Sequence, residues 1–269
     1  MSALESRNPT LRAFEQPQRW ADLEEREAKL NAMSYSGTIT ATAVLLSICA
    51  STAVLGWDAM TVGGLFEAGT LNPTFGMFGG IIGGLVLALV ISFAPKLSPI
   101  LGPVYAGVEG VFLAAFSLFI AERFLGGAES ASATATIFQA LVVTFAIAAG
   151  MLVGYATGII RGGPIFNKII ITAGIGLVIY AVGLILMNGV FNMGIPNLYS
   201  STTPLGIGFT AVCVILASLF LILDFQVVES GVKNKAPKYM EWYAAFGLLV
   251  TLVWLYVEVL RLLAKLKSE

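Results

Sequence analysis

The sequence predicts an all-α polytopic membrane protein, a bundle of seven transmembrane helices. The chain has 269 residues, of which 57% are hydrophobic and 12% are charged, whereas soluble domains carry about 25% charged residues. The apolar residues form seven runs, each close to the ~20 residues that cross a bilayer as a helix. The runs are continuous rather than alternating, and backbone groups in hydrocarbon must pair internally, so helices are favoured over a barrel.

The seven predicted spans follow one another closely along the chain. They lie at residues 37–57, 75–94, 100–121, 133–160, 169–191, 204–228 and 240–263. The second and the fifth contain no charged side chain. The segment 191–203 is rich in turn residues and predicts a plain connection between the fifth and sixth spans.

Two regions differ in composition. Residues 1–34 form a charged segment, which predicts either a short amphipathic helix on the membrane surface or a solvated tail, and residues 35–269 form the transmembrane domain. With seven crossings, eleven of the fifteen Lys and Arg residues fall on the side of the N-terminus. Because basic residues are retained in the cytoplasm, we expect an integral plasma (inner) membrane protein with a cytoplasmic N-terminus.

The composition also excludes several functions. The chain contains no histidine, so it has no histidine-based triad, general base or metal ligand, and it carries no nucleotide-binding glycine motif. We therefore expect neither an enzyme nor a resident cofactor, and a net charge of −1 argues against a nucleic-acid partner. Cys49 and Cys213 lie in apolar runs and predict buried thiols.

Glycines in the second span predict close helix packing. Gly76, Gly80 and Gly84 are spaced four residues apart, which places them on one face of the helix. Small residues at this spacing let two helix backbones approach closely within the membrane. We therefore expect this face to contact another helix.

Two carboxylates in the predicted spans are candidates for ion handling. An ionisable group in a span costs about 2.5–3.5 kcal/mol on insertion, so function is its first explanation. Glu109 lies about 15 Å into the third span, where it serves either proton and cation handling or a buried structural hydrogen bond. Asp224 lies near the end of the sixth span and serves either ion gating or a structural salt bridge. Carboxylate oxygens suit hard cations such as Ca²⁺, so both are candidate sites for transient calcium.

Two further carboxylates belong to the last span. Glu241 begins it, where a carboxylate favours the helix dipole and predicts capping. Glu258 lies three residues before Arg261, a spacing that predicts an ion pair on one helix face. Glu258 therefore serves either this pair or the ion pathway.

Two segments carry a family resemblance. They are residues 94–113 (APKLSPILGPVYAGVEGVFL) and residues 223–263, which include LDFQVVE, APKYMEWYAAFG and YVEVLRLL. Together they resemble the prokaryotic, YccA-like branch of the Bax inhibitor-one (transmembrane Bax inhibitor motif) family, over about residues 30–266. The resemblance implies a seven-helix bundle with the C-terminal helix at its centre, and a pH-sensitive calcium leak.

The resemblance also implies roles for individual residues. In that family a pair of aspartates, on helices six and seven, senses pH. Asp224 matches the first, Glu109 matches a Glu-Gly of helix three, and Lys96 matches a basic residue of helix two. The second aspartate falls on Thr251 or on Glu258, depending on the alignment, and Thr251 fits the loop length better. About 20 Å of depth separates Glu258 from Asp224, so we expect no direct contact between these two.

Two functional hypotheses follow. The first is a passive cation leak, with calcium and protons as partners besides the lipid bilayer, gated by protonation of buried carboxylates. The alternative is a membrane interaction protein that regulates a partner such as a membrane protease or a stress-response complex. In the alternative, the charged segment 1–34 and the glycine face of the second span would be the contact surfaces.

Overall fold

Seven long helices make up the part of the chain that the structure describes. The computed structural model describes residues 31–61, 71–128, 130–160 and 162–268, so the predictions for residues 1–30 lie outside the described residues. The helices are α1 (Tyr35–Met60), α2 (Pro73–Phe93), α3 (Ser98–Phe124), α4 (Ala131–Ala156), α5 (Pro164–Ile185), α6 (Pro204–Lys233) and α7 (Met240–Lys267). A 3-10 turn, Pro95–Leu97, precedes α3, and a π-helical turn, Leu186–Val190, extends α5. All seven are long and apolar enough to cross a membrane, which confirms the predicted fold class.

Helices α3 and α7 lie at the centre of the bundle. More than half of the residues in their apolar stretches are buried, against fewer than a quarter in α1, α2, α4 and α5. Helix α7 packs against α1, α3, α4 and α6, and α3 packs against α1, α2 and α7. The C-terminal helix is therefore central, as the resemblance implies, and it shares this position with α3.

Local sequence signals set the helix starts. The side chains of Ser34, Asn72, Ser130 and Thr203 each accept a hydrogen bond from a backbone N–H in the first turn of α1, α2, α4 and α6, respectively. Helices α2, α5 and α6 have proline in their first turn, where its missing N–H costs nothing. Caps thus satisfy backbone groups that hydrocarbon would leave unpaired.

Several helix ends differ from the predicted spans by three or more residues, and two of them have a clear local reason. Helix α6 continues to Lys233 rather than ending at residue 228, because Glu229 accepts hydrogen bonds from Tyr155 and Lys233 and the last turn needs no apolar side chains. Helix α4 ends at Ala156 rather than at residue 160, before Gly158, which has a φ of 76°. Apolar composition marks what hydrocarbon covers, whereas polar contacts and glycine conformation fix where a helix ends.

The helices alternate in direction, which gives the bundle two ends. The N-terminal end contains the start of α1 and the α6–α7 connection. There the Met33 N–H donates to Ala236 O at 2.7 Å, and the Lys238 N–H donates to Asn31 O at 2.9 Å. The C-terminal end contains the last turn of α7 and the α5–α6 connection. The residues just before α1 are thus tied to the connection that leads into the central helix.

The glycine face of α2 packs against α3. Gly76, Gly80 and Gly84 are buried. A Cβ on Gly80 would lie 2.5 Å from Cβ of Phe112, and one on Gly84 would lie 2.5 Å from Oε1 of Glu109. This close contact is the one that the spacing predicts. Because α3 covers Gly76, Gly80 and Gly84, these three glycines are not themselves free to contact another protein.

Candidate functional site

Glu109 points into the bundle rather than towards lipid. It lies eleven residues after the first residue of α3, about 16 Å along the helix, and it is buried. Its carboxylate lies against Gly84 of α2 and interacts with Tyr105, one turn earlier on α3, and with Cys49 of α1. Three helices therefore meet at this carboxylate.

Asp224 faces the central helix across the α6–α7 interface. Its Oδ2 atom is buried and has no hydrogen-bond partner within the described part of the chain. On α7, the Thr251 side chain interacts with the carboxyl group, and a Cβ on Gly247 would lie 3.8 Å from Oδ1. Buried polar atoms are nearly always paired, so this unsatisfied oxygen is an exception that calls for an explanation.

Two consecutive residues of α7 contact the surroundings of the two carboxylates. The Phe246 ring meets the Tyr105 ring edge-on, with 4.9 Å between centroids, and Tyr105 in turn interacts with Glu109. The next residue, Gly247, faces Asp224. A movement of this turn would therefore change the surroundings of both carboxylates at once.

Thr251, and not Glu258, is the α7 residue that faces Asp224. Glu258 is buried and forms an ion pair with Arg261 at 2.8 Å, as their spacing predicts. It also interacts with Cys213, which lies eleven residues before Asp224 on α6, or about 16 Å along the helix. A latch between two carboxylates is therefore not formed here.

Glu241 joins the start of α7 to the start of α1. Its buried carboxylate accepts hydrogen bonds from the Ser34 backbone N–H at 3.0 Å and from the Ser34 hydroxyl at 2.8 Å. It lies in the first turn of α7, as predicted for a capping residue, but the backbone group that it caps belongs to α1. A Cβ on Gly37 would overlap the Glu241 carboxylate, so a larger residue at this position would have to displace that carboxylate.

Lys96 lies outside the helices. It belongs to the 3-10 turn between α2 and α3, and its side chain is exposed. The residue that loosely matches the basic position of helix two thus lies at the N-terminal end of the bundle, in the turn that precedes α3 rather than in α2.

Lys265 is a buried charge that the sequence reasoning missed. Its side chain is fully buried, and its ammonium group donates to Leu198 O at 2.9 Å, to Gly206 O at 3.1 Å and to Thr210 Oγ1 at 2.8 Å. A buried ammonium is tolerated when oxygens surround it. A signal was present, because Glu258, Arg261 and Lys265 recur at helical spacing on one face of α7.

Arg261 contacts two aromatic rings, one on α3 and one in the connection between α5 and α6, to which Lys265 also binds. Its guanidinium lies over the Phe116 ring at 5.5 Å and over the Tyr199 ring at 4.8 Å. Burial raises the pKa of Tyr199 to about 12, so this ring stays neutral beside the cation. The prediction that residues 191–203 form a plain connection is therefore wrong, because Arg261 and Lys265 of the central helix both bind residues within it.

Neither Glu109 nor Asp224 lines any of three large cavities among the described residues. A cavity of about 1060 Å³ and one of about 320 Å³ lie between α1 and α4, and one of about 790 Å³ lies between α2 and α3. Over the same ranges, no group of three or more Cys, Asp or Glu side chains could hold a metal ion. Glu109 and Asp224 are thus separate carboxylates, each covered by neighbouring helices rather than open to one of these cavities.

Comparison with known proteins gives a family. The Bax inhibitor 1 like family matches residues 8–268, nearly the whole chain and both segments that carry the resemblance. No curated protein matches the chain. The assignment to the prokaryotic branch stays a prediction. A match of this extent, on seven helices that could each cross a membrane, makes this chain a member of the Bax inhibitor 1 like family.

Proposed function

We propose that this membrane protein is a pH-sensitive passive leak for cations, with Ca²⁺ as the main ion. Asp224 is the pH-sensing group, and Glu109 is a second cation site within the bundle. The N-terminus lies in the cytoplasm, and the membrane is the plasma (inner) membrane. The function needs neither a catalytic group nor a resident cofactor.

The observation that carries the proposal is the unsatisfied Asp224 oxygen. An ionised carboxylate without a partner in a buried site costs several kcal/mol. A protonated carboxyl group fits the packed interface with Gly247 and Thr251 better than an ionised one does. The free-energy cost of the ionised form falls when water or a cation reaches the Asp224 carboxylate, or when α7 moves away from α6.

This reasoning fixes the sign of the pH dependence. As the pH rises, ionised Asp224 both attracts cations and disfavours the packed interface, whereas at low pH protons compete with cations for the same oxygens. We therefore expect cation flux to increase with pH. A single carboxylate at each site binds Ca²⁺ weakly enough to release it, as conduction requires.

The test is Ca²⁺ flux into proteoliposomes, measured with an entrapped indicator between about pH 5 and about pH 9, a range that brackets carboxyl groups in proteins. In Asp224→Asn the charge cannot change, so we expect flux that is low and independent of pH. In Glu109→Gln we expect flux about tenfold lower at every pH, the loss typical of one charge-assisted contact. Glu122→Gln is the control, because Glu122 lies on the same helix with an exposed side chain.

Three outcomes would contradict the proposal. Unchanged flux in both Asp224→Asn and Glu109→Gln would remove these carboxylates from the pathway. Flux that falls with rising pH would reverse the assigned sign. Absence of flux in the wild-type protein would favour the interaction hypothesis, which a pull-down with and without residues 1–34 would then test.

A further inference from the structure

Helices α1 and α4 leave a long crevice between them. Both pack on α7, and the cavities of about 1060 Å³ and about 320 Å³ lie end to end along the gap. The two cavities share Leu46, Phe145 and Leu252 in their linings. The crevice runs from Tyr35, at the N-terminal end of the bundle, to Trp57 near the end of α1.

The crevice opens sideways, towards lipid. Residues on its rims are exposed on both helices, Val54 to 69% on α1 and Phe145 to 51% on α4. Its floor is formed by buried residues, among them Leu221 of α6 and Leu249 of α7. Water gains little in a groove lined by such side chains, whereas a hydrocarbon chain from the bilayer fills it without losing hydrogen bonds.

The N-terminal end of the crevice is polar. Tyr35, Tyr155, Glu229 and Lys233 all line it. The Glu229 carboxylate accepts hydrogen bonds from the Tyr155 hydroxyl and the Lys233 ammonium, and the Lys233 side chain remains 67% exposed. Tyrosines at the end of a span mark the level of the lipid headgroups, where phosphate groups are available to an exposed ammonium.

We propose that this crevice is a phospholipid-binding site. One acyl chain lies along the apolar gap between α1 and α4, and the headgroup phosphate binds Lys233, with the Tyr35 hydroxyl as a second donor. The exposed Lys233 ammonium group, which is also paired with Glu229, and the match between polar and apolar sections favour a phospholipid over a lipid without a phosphate. The inference does not depend on cation conduction, because it rests on a different face of the bundle.

Native mass spectrometry of the full-length protein in detergent tests the site. Dioleoyl phosphatidylglycerol is the probe, and dioleoylglycerol is the matched lipid without phosphate. We expect phosphatidylglycerol to bind about tenfold more tightly, the contribution of one charged hydrogen bond. Equal binding of the two lipids would overturn the headgroup assignment.

Two pairs of variants locate the lipid. Ala149 lines the crevice, and Ala146, on the same helix, is exposed outside its lining. Ala149→Phe should therefore fill the crevice and lower binding about tenfold, while Ala146→Phe should not change it.

The second pair tests the headgroup contact. Lys233→Gln should lower binding similarly, whereas Lys168→Gln, at an exposed lysine outside the crevice lining, should not. Equal binding within either pair would overturn the proposal.

Photo-crosslinking gives a readout that needs no variant. A phosphatidylglycerol with a diazirine in its acyl chain, reconstituted with the wild-type protein, should label peptides of α1 and α4 in preference to those of α5, whose apolar side chains are also exposed. Uniform labelling of all lipid-facing helices would contradict a specific site, even if a crevice variant failed to fold.

Discussion

Lys265 illustrates how a single side chain can determine the position of a connection. Its ammonium group reaches three oxygens at the start of α6 and in the preceding connection, and none of these contacts is local in sequence. The last turn of α7 thereby fixes the entry of the chain into α6. Loss of this side chain would remove the donor to the Leu198 carbonyl and to the buried Thr210 hydroxyl oxygen.

We expect Lys265→Met to lower the free energy of unfolding by about 2 kcal/mol, the cost of buried groups left unsatisfied. Lys267→Met is the matched control, since Lys267 is exposed and donates one hydrogen bond, to Thr136 at 2.8 Å. Its expected cost is below about 0.5 kcal/mol. Thermal unfolding in detergent measures both, and equal losses would contradict a special role for Lys265.

The sequence identified single residues as candidates for the functional site, but it did not identify the residues with which they interact. Charge within an apolar run identified Glu109, Asp224, Glu241 and Glu258, and all four lie in the helices. Their partners could not be read from the sequence, because Glu241 binds Ser34, 207 residues away. The spacing rule succeeded only within one helix, for Glu258 and Arg261.

At the scale of the helix, the neighbouring glycines Gly79 and Gly80 of α2 have different surroundings. Gly80 faces α3 at a distance that excludes a methyl group, whereas a Cβ on Gly79 would meet nothing within 4 Å. The two positions share a helix and a residue type, and differ only in what lies opposite them. They therefore form an internal control for the packing argument.

We expect Gly80→Ala to destabilise the protein by about 1–3 kcal/mol through overpacking against Phe112. Gly79→Ala should be neutral or stabilising by up to about 1 kcal/mol, because alanine is the better helix former. Chemical or thermal unfolding of the two variants checks the difference. A similar change in both would mean that helix propensity, not the α2–α3 contact, governs this position.

The existence of each helix was predictable, and its ends were less so. Hydropathy finds the part of a helix that hydrocarbon covers, and all seven runs correspond to helices. Hydropathy did not predict the last turn of α6, because an ion pair between Glu229 and Lys233 stabilises that turn. This pair forms only when the residues between them are helical. The cap at Ser130 marks the start of α4 two residues earlier than the apolar run does.

For the whole molecule, orientation is the property that the proposed function most needs. The N-terminal end of the bundle carries Lys96, Lys168, Lys233, Lys235 and Lys238, and the charge rule assigns this end to the cytoplasm. An opposite orientation would place the Asp224 site nearer to the outside. The direction of pH sensing depends on this choice.

We expect Ser200→Cys to react with a membrane-impermeant maleimide on intact cells, and Lys96→Cys to react only after the membrane is opened. Both positions are exposed, in connections at opposite ends of the bundle. The wild-type protein is the control, because Cys49 and Cys213 are buried and should not react. The reverse pattern of labelling would place the N-terminus outside the cell.

Composition alone predicted a helical membrane protein, but not its centre. Helices α3 and α7 are no more apolar than the peripheral α5, so hydropathy could not rank them. The central position of α7 came from the family resemblance, and that of α3 emerged only from the contacts. The pairing of Asp224 with Thr251 was likewise predicted only by aligning the whole of α7 with the last helix of the family, because neither residue alone indicates its partner.

The basic residues on the last turns of α7 imply that the two mouths of the proposed leak are electrically unequal. A cation moving along the seam between α6 and α7 passes the Asp224 carboxyl group. The lysines at the N-terminal end of the bundle are exposed and therefore screened, whereas at the other end the cation meets the buried ammonium group of Lys265, beside the Glu258–Arg261 ion pair. Current through such a path would rectify, since the barrier beside those charges is lowered by a voltage of one sign and raised by the other.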